Sequence, residues 1–419
     1  MLFEPLQPSR RELLRASACG FGSVALAGLL SEAQANPLSP RCGHHAATAK
    51  RVIFMFMQGG PSQMETFDYK PRLNRDHGKP APFKRESKVE QPGVGTMTLF
   101  GSSWKFAKHG QSGTWVSNLF PNVAKVIDEI AVLNGMCTDN LAHAPASMQI
   151  HTGATNFVRP SLGAWVTYGL GSVNQNLPGF ITINPPISGD GGSPQHFGSA
   201  FLPATFQGTP VSLPGTKKAA ANIRYLRDPS TTLKKQRKQL DFVQRLNRRH
   251  LQKSGEDQIL EGMIESFELA FRMQSEAPPL LGFEKENAQM LKLYGIGEGA
   301  SDQFGRQCLL ARRFAEKGVR FIQINAGGWE NHGGILKALA RNTAEVDKAV
   351  AGLISDRKQR GMLDETLIVW TGEFGRTPYE QDLSNGKAAR STYGRGHNPY
   401  GFTTLLAGGG VKGGVVHGK

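Results

Sequence analysis

The feature that most constrains this chain is a series of short, mainly apolar runs, each bordered by glycine and polar residues. Val52–Met57, Ile130–Leu133, Phe180–Ile183, Val319–Ile324, Leu367–Trp370 and Phe402–Leu406 are rich in β-branched and aromatic side chains. They lack regular polar alternation, as strands do when both faces are buried. Stretches with helical patterning separate them, among them Val116–Glu129, Asp302–Lys317 and Ile335–Arg357. That order predicts an α/β fold, a mainly parallel sheet with helices on both faces. From about 209 to 295 the pattern turns to long, charged helices without strands, which predicts a helical insertion. A length of 419 residues, with 39% hydrophobic and 20% charged, supports a core of this size.

The first residues predict a leader outside the fold. Ser9-Arg10-Arg11-Glu12-Leu13-Leu14 reads as a twin-arginine signal, and Ala16 to Leu30 is an apolar, small-residue run. Ala33-Gln34-Ala35 then predicts cleavage before Asn36. The expected organisation is a signal at 1–35, a leader at 36–49 and one domain at 50–419. Export to the periplasm or cell surface follows. No later segment has the roughly 20 apolar residues of a spanning helix, so no transmembrane segment is expected after cleavage. Once Cys19 has left with the signal, Cys42, Cys137 and Cys308 remain, without a C-x-x-C pair, which points away from a disulfide framework or zinc knuckle.

The net charge is +15, yet much of the basic excess lies between Lys217 and Lys253, in a helical pattern. A solvated outer face explains it, and so does attraction to sulfated or phosphorylated glycans. No nucleic-acid motif accompanies the charge, and no nucleic-acid partner is expected.

In folds of this class ligands bind beyond the carboxyl ends of the strands. There the sequence places Gln58-Gly59-Gly60-Pro61-Ser62, then HAPASMQIHTG from His143, then Gly328-Trp329-Glu330-Asn331-His332, and Gly372-Glu373-Phe374-Gly375-Arg376. Gly394-Arg395-Gly396-His397 precedes the last run, and like the others it reads as a loop. Glu330 and His332 lie two apart, so both side chains can point to one side of an extended segment. With His397 they are candidate metal ligands, as carboxylate plus imidazole suits a divalent ion. Glu373 is a candidate ligand or general base. Arg376 and Arg395 suit bidentate binding of sulfate or phosphate oxygens, or pairing with nearby carboxylates. The Gly59-Gly60 turn offers backbone N–H groups to an anion. His143 reads as nucleophile, general acid or ligand, and His151 as a core or supporting residue.

RVIFMFMQGGPSQMETFDYKP, HTGATNFVRPSLGAWVTYGLGS, GGWENH, TGEFGRTP and GRGHNPYGFTTLLAGGGVKGG together resemble the bacterial domain-of-unknown-function 1501 family. The resemblance runs from Arg51 to the last residues. It implies an alkaline-phosphatase-like or sulfatase-like core with a metal site at the strand ends. The implied ligands are Glu330, His332, Glu373 and His397, with His143 at the nucleophile position. Gln58 stands where that superfamily has an Asp ligand, Phe374 where it has His, and Glu330 where it has Asp. One divalent metal (zinc, calcium or manganese) or none is therefore expected. AGGGVKGGVVHGK ends the chain where relatives continue, so a truncated C-terminus is expected. The implied activity is hydrolysis of sulfate or phosphate esters, with an anionic ester or glycan as substrate. A non-catalytic binding protein for anionic surface polymers is the alternative.

Overall fold

A computed structural model describes residues 37–43, 45–83, 97–186, 191–215, 220–254, 258–382, 389 and 392–418. The expected signal, its cleavage site and Lys217 lie outside the described residues.

The described strands are β1 (Arg51–Met57), β2 (Phe106–His109), β3 (Thr114–Ser117), β4 (Ile130–Met136), β5 (Phe180–Ile183) and β6 (Thr209–Val211). They continue with β7 (Phe321–Ala326), β8 (Thr366–Thr371), β9 (Gly375–Gln381), β10 (Gly394–Asn398), β11 (Phe402–Ala407) and β12 (Val416–His417). Eight of them form one sheet in the order β12-β4-β11-β8-β1-β7-β5-β6. Pairing is parallel throughout except at β11, which runs antiparallel to both β4 and β8. The sheet is thus mainly parallel, as the sequence predicts.

Strand β1 shows why its sequence lacks polar alternation. Ile53, Met55 and Met57 join the main core, where the helices Asp302–Glu316 and Ile335–Gln359 pack. Phe54 and Phe56 point the other way, onto Phe180, Phe197 and Phe321. Ile150 and Val166, from the helices His143–Thr152 and Leu162–Leu170, close that side. Both faces are dry, so both sets of alternate residues are apolar.

Three expectations change. Val116–Glu129 is not one helix: Val116 lies in β3, paired with β2, and a 3₁₀ run covers Val123–Glu129. Pro121 separates them, since proline lacks the N–H a continuous helix needs. The buried Asp347 carboxylate accepts from the Val123 N–H at 2.8 Å and so holds the start of the 3₁₀ run. The region from 209 to 295 is mainly helical, with Leu233–Ser254 packed on Gln258–Glu276, but it opens with β6 at the sheet edge. Lastly, the polar segments around Arg376 and His397 are not loops. They form the antiparallel hairpin β9–β10.

Candidate metal centre

Because β1, β4, β7 and β8 run in one direction, their carboxyl ends meet at one edge, and the segments after them build the site. His143 opens the helix that follows β4. Glu330 and His332 lie in the turn after β7, Glu373 lies just after β8, and His397 sits on β10.

Glu330 is the hub. One carboxylate oxygen meets Nε2 of His143 and also Arg376 Nη2 at 3.0 Å. The other meets Nε2 of His332, and Nε2 of His397 at 3.0 Å. The opposite nitrogen of each ring has its own oxygen partner. His143 Nδ1 is 2.6 Å from Glu373 Oε1, His332 Nδ1 is 2.5 Å from Gln381 Oε1, and His397 Nδ1 is 2.7 Å from the Leu141 carbonyl. When Nδ1–H is donated outward, Nε2 keeps its lone pair: those of His143 and His397 face a point shared with Glu330, and that of His332 faces the Glu330 carboxylate. Outer partners impose this arrangement on metal-binding histidines. Ligand atoms of His143, Glu330 and His397 lie within 4.8 Å of one another. Nε2 of His143 is buried and lies against Glu330 without the alignment of a hydrogen bond. The donor set, imidazoles plus carboxylate, fits one divalent ion.

Glu373 stands just outside that set. It is fully buried, and the Gly59 N–H donates to its two oxygens at 2.8 and 3.1 Å while His143 takes one of them. It orients His143 and does not face the shared point, which departs from its expected place among the ligands. The Gly59 N–H expected to meet an anion is spent on this carboxylate. A side chain at Gly59 cannot fit: its φ is +114° and a Cβ would sit 2.5 Å from the Glu330 nitrogen.

Electrostatics follow from this geometry. Burial would raise the Glu330 pKa, but the contacts of His143, His332 and His397 with its oxygens and the Arg376 charge outweigh it, holding the carboxyl well below its usual range. Burial would lower the His143 pKa, yet Glu330 and Glu373 outweigh it and raise it to about 9. Burial dominates at His397 and lowers it despite Glu330. Positive charge is therefore favoured between the two carboxylates, as a proton on His143 or as a cation in front of it.

The two arginines do not take the role of oxyanion binders. Arg376 and Arg395 are both fully buried. Arg376 donates to the carbonyls of Gly60 at 2.9 Å and Arg395 at 3.1 Å, besides Glu330. Arg395 donates to Glu65 at 2.5 and 3.0 Å, to Thr377 O at 3.0 Å and to Phe100 O at 2.6 Å. They brace the hairpin against the turn after β1. Carboxylate pairing, the other reading of these residues, describes what they do. His151 is also apart from the site: it stacks on His196 with ring centroids 4.3 Å apart. Sequence reasoning missed Gln381, the Leu141 carbonyl, Glu65 and His196. Each acts through a partner distant in sequence, and no local pattern marks it.

A family model described as "Protein of unknown function (DUF1501)" matches residues 49–419, and the chain belongs to that family. No curated protein matches it. Among solved structures it is similar to the alkaline phosphatase from the Antarctic bacterium TAB5, at 10% identity, covering 88% of this chain and 94% of that one with a TM-score of 0.32. It is also similar to Ps i-CgsB in complex with k-i-k-neocarrahexaose, at 10% identity, 88% and 67% coverage and a TM-score of 0.36. The PsFucS1 sulfatase from Pseudoalteromonas sp. follows at 14% identity, 87% and 64% coverage and a TM-score of 0.32.

Proposed function

We propose that this chain is an exported, metal-dependent hydrolase of sulfate or phosphate esters, acting on anionic glycans. One observation carries the reading: three histidines, each pinned at Nδ1 by an oxygen acceptor, present Nε2 to the Glu330 carboxylate. His143, His332, His397 and Glu330 would hold the ion. When bound there, a divalent metal supplies Lewis acidity toward an ester oxygen and acidifies water.

The chain's own residues do the rest. Glu373 fixes the tautomer of His143 and makes that imidazole a stronger donor. Of the alternatives for His143, ligand is the one its contacts favour, since both ring nitrogens face carboxylates. Arg376 offsets part of the negative charge and ties Glu330 to the Gly60 carbonyl. The Glu330 and His332 side chains are 39% and 27% exposed, against 12% for His143 and His397, so an ester would approach from their side.

The test uses the full chain with aryl sulfates and aryl phosphates. Zinc, manganese and calcium are supplied in turn after chelation. Turnover of one ester class that disappears with chelator and returns with one metal is the expected result. Metal-loaded protein inert toward both classes would overturn the hydrolase reading. The chain would then stand as a binding protein for anionic polymers, with the exposed basic residues of Leu233–Ser254 as its contact face.

A further inference from the structure

A different surface has no place in that chemistry. The helix Leu162–Leu170 carries Leu162, Trp165 and Tyr168 at successive three-residue steps, 43%, 41% and 38% exposed. Phe201, 70% exposed, lies beside Trp165 with ring centroids 5.8 Å apart. Apolar aromatic surface of this kind costs free energy in water unless something covers it.

Charge narrows what that something is. From Gly153 to Phe180 the one charged residue is Arg159, and from Gly198 to Gly215 there is none. The guanidinium of Arg41 lies 5.6 Å from the Tyr168 ring, and that of Arg159 lies 5.8 Å from the ring of Phe157, itself 60% exposed. Aromatic rings that are half apolar and half polar, with arginines beside them and no acid in either stretch, suit the headgroup level of an anionic bilayer.

Chain connectivity points the same way. Leu38 is buried, and its carbonyl accepts from the Ser172 N–H at 2.8 Å, while the Arg41 N–H donates to the Leu170 carbonyl at 3.1 Å. The described chain therefore begins pinned to the end of this helix. The apolar run ending at Leu30 lies only eight residues before Leu38. At about 3.5 Å per residue, those residues span roughly 28 Å at most. While Ala16–Leu30 is joined to the chain and held in a membrane, the Leu170 end of this helix stays within that reach of the lipid.

We propose that the face formed by Leu162, Trp165, Tyr168 and Phe201, with Arg41, is a contact surface for an anionic phospholipid bilayer. Brominated lipid quenches tryptophan at the interface. Full-length chain is mixed with brominated phosphatidylglycerol–phosphatidylcholine vesicles and compared with Trp165→Phe. The expected result is dimming in the wild type that falls at least severalfold in the variant, because Trp329 and Trp370 are buried, Trp104 packs against the core, and Trp115, 38% exposed, sits on β3 against Tyr69 and not in this face. Vesicles of phosphatidylcholine alone should bind this face roughly thirtyfold more weakly, the scale for two arginines, Arg41 and Arg159, near the surface. Equal dimming of the two proteins would overturn the proposal. So would Trp165 emission shielded from both lipid and iodide, which would mean the chain's own apolar run covers it. Lipid-free self-association abolished by Trp165→Ser with Phe201→Ser would also overturn it, making the face an interface between copies.

Discussion

Replacing His196 with phenylalanine should remove an acid-sensitive weakness from the fold. His196 is 2% exposed, its ring is stacked nearly parallel on His151 at 5°, and its Nδ1 has no hydrogen-bond partner. Burial lowers its pKa from 6.5 to about 4, and burial together with the facing His196 also holds His151 well below its ordinary value. Above pH 6.5 the imidazole is neutral in both folded and unfolded chains, and it does not affect their balance. Between 6.5 and 4 the unfolded chain binds a proton that the folded chain refuses, so stability falls as pH falls. A drop from 6.5 to about 4, at roughly 1.4 kcal/mol per unit, amounts to about 3 kcal/mol. Urea unfolding at steps from pH 7.5 to pH 4, with chelator present in every sample, measures this. The difference between wild type and His196→Phe should grow by about 3 kcal/mol in favour of the variant as pH falls through that window. Parallel stability curves for the two proteins would show that His196 titrates normally when folded, and the buried-pair account would fail.

Arg395→Met should cost about 3–5 kcal/mol, because it leaves the buried Glu65 carboxylate without its guanidinium; chemical denaturation measures it, and a loss under about 1 kcal/mol would contradict the pairing. Glu373→Gln should weaken metal binding by roughly 10- to 100-fold by loosening the Nδ1 side of His143, read by competition with a chromophoric chelator, and unchanged affinity would count against its orienting role. Exchanging Arg10 and Arg11 for lysine should hold precursor in the cytoplasm, followed by fractionation, and normal export would exclude the twin-arginine route.

The sheet was legible because its central strands are buried on both faces, which leaves compact apolar runs such as Val52–Met57. The hairpin β9–β10 was not legible, since GRTPYEQ and GRGHN read as polar loop. Those strands lie inside the protein all the same, because Arg376 and Arg395 bring their own acceptors with them. For the same reason both arginines looked available to a ligand: sequence displays charge and hides pairing. Glu330, His332 and His397 stood out as acid and imidazole beside glycines at strand ends, His143 as the first residue of the HAPASMQIHTG turn, and the fold brings all four together. Their supports did not stand out. The Leu141 carbonyl that holds His397 is backbone, 256 residues away in sequence, and Gln381 is an ordinary amide until it faces His332.

Metal content tests the central claim most directly. Full-length chain is loaded with zinc or manganese, freed of excess ion and measured by elemental analysis beside His332→Ala with His397→Ala. The account predicts about one ion per chain in the wild type and little or none in the double variant, whose fold is checked by circular dichroism. Equal metal in both proteins, or none in the wild type, would contradict it.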